Sequence, residues 1–119
     1  MRSKLGDVQR LQHIADAVSE IEAFTKGVTF EAFSSNRMMV LACVKCFEII
    51  GEAAGHLSEE TKAEYTSIDW RNVKAFRNLM VHEYFKVSDR LVWQIIESNL
   101  PELKRVVANA IAALNTNLD

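Results

Sequence analysis

The sequence predicts an all-α fold, a small antiparallel bundle of about five helices, and three observations carry that prediction. Apolar residues recur at steps of three and four along most of the chain, the spacing that places them on one stripe of a helix. One proline and four glycines in 119 residues leave little of the turn punctuation that a many-stranded sheet needs. Hydrophobic residues make up 49% of the chain, ample for one core, and the length is that of one domain, so residues 1–119 are read as a single unit.

The first helix spans Leu5 to Phe24, with Leu5, Val8, Leu11, Ile14, Ala15, Val18, Ile21 and Phe24 as its stripe. Gly27 and Thr29 end it, and Phe30 and Phe33 anchor a short connecting turn. A second helix starts near Ser34 or Ser35 and reaches about His56. Its segment MMVLACVKCF is apolar on nearly every side, which suits either a central core helix or part of a dimer interface. Ser58 followed by Glu59 and Glu60 opens a short third helix, the hydroxyl as cap and the acids facing the positive end of the dipole.

Asp69-Trp70-Arg71 opens a fourth helix that turns Val73, Phe76, Met80 and Val81 toward the core. Ser88 or Asp89 caps a fifth, which buries Leu91, Val92, Ile95, Ile96 and Leu100. Pro101 removes a backbone donor and either kinks that helix or starts another, continuing through Leu103, Val106, Val107, Ala110 and Leu114. With no repeats, linkers or low-complexity tracts, a bundle is the natural architecture.

Composition narrows the function classes. The longest apolar stretch, Met38 to Val44, is too short for a membrane span, and MRSKLGDVQR lacks the apolar core of a signal peptide, so a cytoplasmic protein is expected. A net charge of −2 argues against bulk attraction to nucleic acid. The charge is uneven, however. Residues 71–90 carry Arg71, Lys74, Arg77, Lys86 and Arg90 against Glu83 and Asp89, a local excess of +3, and such a patch suits a phosphate chain or a solvated face.

Three constellations are candidates for chemistry. Cys43 and Cys46 have the spacing of a chelating or redox pair, but they lie inside an apolar helix without further ligands, where cysteine acts as a small hydrophobe, so no metal or other cofactor is expected. Glu48 and Glu52 share a helix face and read as a solvent-facing or salt-bridged pair; His13 and His56 read as isolated surface or capping residues. The third is the octet RNLMVHEY, Arg77 to Tyr84. On a continuous helix Arg77 and His82 point about 140° apart and are separated by ~7.5 Å along the axis, so one chain does not readily aim both at one atom. A site that uses both needs the helix to end or bend near His82, or a second copy of it.

The octet resembles the signature of the HEPN superfamily, an Arg followed after four to six residues by His, and is most similar to the HepT-like toxin branch, where the pattern is Arg-Asn, three residues, His, any residue, Tyr. Arg77, Asn78, His82 and Tyr84 occupy all four positions. IIGEAAGHLS at 49–58, Trp70-Arg71, Val92-Trp93 and Leu100-Pro101 extend the resemblance over essentially the whole chain. It implies a homodimeric, metal-independent endoribonuclease, the toxin of a toxin–antitoxin pair, with Arg77 and His82 catalytic.

It further implies that Tyr84 is adenylylated by a minimal nucleotidyltransferase antitoxin. Residue chemistry agrees: the ordinary histidine pKa of ~6.5 suits proton transfer, and an arginine can hold a phosphate bidentately as charge builds. Asn78 can fix the His82 ring or bind RNA backbone, while Lys74, Lys86 and Arg90 are candidates for steering RNA phosphates. The alternative is a non-catalytic module that binds a nucleotide or helps a nucleotidyltransferase partner.

Overall fold

In the computed structural model, residues 4–118 are described, with side chains described for residues 6–116. Among them the order is α1 (Lys4–Thr25), α2 (Phe30–Ser35), α3 (Arg37–Gly55), α4 (Glu59–Glu64), α5 (Trp70–Glu83), a 3₁₀ turn (Tyr84–Lys86), α6 (Asp89–Ser98) and α7 (Leu100–Leu118), with no strand. The fold is all-helical, as predicted. The count exceeds five because the connector after α1 is itself helical and because Pro101 begins a helix.

Each boundary has a local cause. Thr29 accepts a hydrogen bond from the Ala32 N–H and so starts α2 where a turn was expected. Phe33 of α2 is buried, and Phe30 and Phe33 pack on Trp93 of α6 at ring-centre distances of 6.2 and 5.0 Å. Asn36 then closes α2 and caps α3, its side chain accepting from the Met39 N–H, so α3 begins at Arg37, later than expected. Ser58, Asp69 and Ser88 cap α4, α5 and α6 in the same way, through the N–H groups of Thr61, Asn72 and Leu91. Pro101 falls in the first turn of α7, where its missing N–H has no intrahelical partner to lose.

Helix α3 is central. It packs on α1, α2, α5 and α6, and α1 also packs on α7. Val40, Cys43, Val44, Cys46, Phe47 and Ile50 of α3 are buried against Leu11, Ile14, Val18 and Ile21 of α1, Met80 of α5, and Val106, Val107 and Ala110 of α7 in one core. Leu5, the first residue of the expected α1 stripe, lies outside the described side chains. The two cysteines are buried free thiols, and burial pushes the Cys43 thiol up to about 12, which keeps it protonated and inert.

The opposite face of α3 is open among the described residues: Met38, Leu41 and Ile49 are exposed, Met38 by 80%. Val81 of α5, expected in the core beside Met80, is also exposed because the α3 contact takes the Met80 face of the helix. At the far end, Asp7 of α1 is fully buried and receives hydrogen bonds from the Ser58 N–H, the Ser58 hydroxyl and the Thr61 hydroxyl, tying the start of α4 to α1.

Candidate functional site

The octet occupies the last two turns of α5 and the first residue of the 3₁₀ turn. Helix α5 lies so close to α3 at this point that a Cβ on residue 51 would overlap the Cβ and Cγ of Arg77; only glycine fits. The Gly51 gap lets the Arg77 stem lie against α3 and delivers its guanidinium to the neighbouring residue, Glu52. The Arg77 Nη2 is 2.8 Å from the Glu52 Oε2, and its Nη1 donates to the Asn78 Oδ1 at 3.1 Å. Its Nε is buried with no hydrogen-bond partner among the described residues.

Glu52 is also shared. Its other oxygen, Oε1, lies 3.1 Å from the His56 Nε2. The His56 hydrogen bond and then the Arg77 charge hold the Glu52 carboxyl below its usual range, so it is an anion at neutral pH. His56 is the C-cap of α3, within the expected reading of a surface or capping residue, but it is not isolated: residues 52 and 56 are one helical turn apart, and the Glu52 carboxylate reaches both His56 and Arg77. Glu48, one turn earlier, pairs instead with Lys45 at 3.5 Å.

An open groove of about 440 Å³ surrounds this cluster, bounded by α1, α3 and α5. Arg77, Glu52 and His56 line it together with Arg10, His13 and Lys45. His82 does not. It is an exposed side chain with no hydrogen bond or ion pair among the described residues. Helix α5 does end one residue after His82, but that is too late to redirect the ring into the Arg77 groove.

Tyr84 is 49% exposed and meets Phe85 edge to face at 6.1 Å. Among the remaining cations, Lys74 is exposed, Lys86 pairs with Glu83 at 3.2 Å, and the Arg90 guanidinium lies 3.7 Å from the centre of the Phe30 ring. The basic segment is therefore partly engaged within the fold. The cations that share the groove with Arg77 come from elsewhere, Arg10 and Lys45, and no sequence spacing links residues 10, 45 and 77. Only the Gly-Glu pair at 51–52 carried a signal of the Arg77 contact, as part of the IIGEAAGHLS segment.

A family model described as Ribonuclease HepT-like matches residues 14–110, which hold the whole octet and the α3 and α5 walls of the groove, while Arg10 and His13 of its α1 wall lie just before the matched span. The chain belongs to the HepT-like ribonuclease family. It is 34% identical over 94 residues to a protein of Thermococcus cleftensis named "Probable ribonuclease HepT", covering 79% of this chain and 86% of that one. Over 97 residues it is 33% identical to a protein provisionally named an RNase in Caldanaerobacter subterraneus subsp. tengcongensis, covering 82% and 87% of the two chains. A similar relative in Methanocaldococcus jannaschii, also provisionally named an RNase, is 28% identical over 97 residues, or 82% of this chain and 89% of its own. No solved structure matches significantly. Among the described residues no helix of this HepT-like chain is long and apolar enough to cross a membrane.

Proposed function

We propose that this chain is a metal-independent endoribonuclease toxin that acts as a homodimer and is silenced by adenylylation of Tyr84. The observation that carries the reading is Arg77, an arginine held by Gly51, Glu52 and Asn78 at an open groove in a member of a ribonuclease family. RNA carries its own nucleophile. A base takes the proton of the ribose 2′-hydroxyl, that oxygen bonds to phosphorus, the P–O5′ bond breaks, and O5′ takes a proton from an acid. The products are a 2′,3′-cyclic phosphate and a 5′-hydroxyl. Arg77 stabilises the charge on the non-bridging oxygens, and His82 moves protons.

Because His82 lies outside the groove of its own chain, the reading calls on His82 of a second copy, with Asn78 orienting Arg77. The exposed apolar stripe of Met38, Leu41 and Ile49 supports this dimer, since Ile49 and Val81 also line the groove and join it to the stripe. Burying such a stripe against its two-fold copy removes apolar area from water and sets two octets across one cleft. The exposure of Tyr84 suits modification by a nucleotidyltransferase antitoxin, and an attached AMP would place negative charge and bulk near the substrate path. Lys74, Lys86 and Arg90 flank the octet and steer RNA toward it.

The purified protein is expected to cut RNA in EDTA and leave cyclic phosphate ends, and Arg77→Ala or His82→Ala to abolish cutting while the helical circular dichroism persists. Cutting that stops with chelator, or continues in both variants, defeats the reading.

A further inference from the structure

The groove holds more positive charge than Arg77 accounts for. Arg10 enters from α1, Lys45 from α3 and Arg77 from α5, so three helices each direct a cation to one concave surface. Arg77 is oriented by Glu52 and Asn78. Arg10 is anchored differently: its Nη1 donates to the Gly6 carbonyl at 3.2 Å, a neutral partner that orients the side chain. The nearest acid along its helix, Asp7, feels the Arg10 charge, but it is buried and takes its hydrogen bonds from Ser58 and Thr61, while Arg10 lines the groove.

Lys45 is 70% exposed, and its contact with Glu48 is long at 3.5 Å, an ion pair of the kind that contributes little in water and is readily exchanged for a better anion. Three cations against the carboxylates of Glu48 and Glu52 leave a formal +1 on the lining, an excess that favours an anion. Among the described residues no phenyl, phenol or indole ring lines the groove, so its lining is rich in nitrogen donors and charge.

We propose that Arg10 and Lys45, with His13 beside them in the lining, form a subsite for the RNA phosphate adjacent to the one held by Arg77. This rests on the ribonuclease reading with Arg77 at the scissile phosphate. The strand then runs from the octet across α3 toward α1, and the chain prefers substrates that extend at least one phosphate beyond the cleaved bond. The basic stretch at 71–90 does not contain this subsite, which exists only because α1 and α3 pack side by side.

The test is to measure binding of a 2′-deoxy dinucleotide, which lacks the nucleophile, with and without an added 5′- or 3′-terminal phosphate, by NMR titration. In the unaltered protein one of the two phosphates should tighten binding about tenfold, the size of a charge-assisted contact. In Lys45→Gln and in Arg10→Gln that gain should fall below about twofold, and the salt dependence of oligomer binding should lose roughly 0.7 in log–log slope per variant. Lys26→Gln, a cation outside the groove, should keep the gain.

Lys45 is exposed, so its variant reads the subsite even if loss of the Arg10 anchor disturbs α1. No gain from either phosphate, or a gain retained in the Lys45 variant, overturns the proposal. Failure of the protein to cut any RNA while the phosphate gain follows Lys45 would instead overturn the ribonuclease reading and leave the anion subsite standing.

Discussion

At the scale of single residues, Glu52 is the side chain on which the site turns. One carboxylate orients both a guanidinium and an imidazole, and its depressed pKa keeps it charged in neutral solution. Glu52→Gln should lower kcat by about tenfold with little change in KM, because Arg77 loses its orientation more than its charge; steady-state cleavage of a short RNA reads this directly. Asp7 governs stability in place of chemistry. Burial raises its pKa, but the hydrogen bonds from Ser58 and Thr61, with the Arg10 charge, outweigh burial and leave it below its ordinary value.

A carboxyl whose folded pKa is depressed contributes stability that is present above its unfolded pKa of ~3.9 and lost as pH falls through the lower folded value. Denaturant midpoints measured from pH 6 down to 2 should therefore drop more steeply at the acidic end in the unaltered protein than in Asp7→Asn. Asp7→Ala, which strands several buried donors, should cost roughly 3 kcal/mol at neutral pH.

At the scale of elements, the contact of α3 with α5 decides where Arg77 sits. Gly51 is the point of closest approach, and Gly51→Ala forces the helices apart, since the added methyl meets the Arg77 stem near its backbone and not a flexible tip. A loss of about 1–3 kcal/mol is expected, as for overpacked sites, together with loss of cleavage. Chemical denaturation and an RNA assay on the same preparation separate the two effects. Helix positions were largely legible beforehand because caps and apolar spacing are local: Ser58, Asp69 and Ser88 each cap where expected. The start of α3 was less so, because Thr29 and Asn36 turn the preceding connector into a helix once Phe33 has Trp93 to pack on.

At the scale of the whole molecule, two unsatisfied features lie on one side of the bundle: the apolar stripe of α3 and a groove that contains Arg77 without His82. In the proposed homodimer a second copy covers the one and completes the other. Leu41→Glu should give a folded monomer by sedimentation that no longer cuts RNA. Mixing Arg77→Ala with His82→Ala chains should restore about a quarter of the unaltered activity per chain, because half of randomly paired dimers are mixed and each then holds one intact composite site. No recovery after mixing would mean that each subunit works with its own histidine.

The sequence by itself determined the helical class, most of the caps, the buried character of Cys43 and Cys46, and the identity of the polar octet, since periodicity, capping and motif are properties of neighbours along the chain. The family followed from the same residues. Tertiary structure decided what surrounds Arg77. Its partner Glu52, the gap at Gly51 and the cations Arg10 and Lys45 come from helices distant in sequence, and their convergence depends on how α1, α3 and α5 pack, a choice made by the shape of the shared core and not by any local pattern.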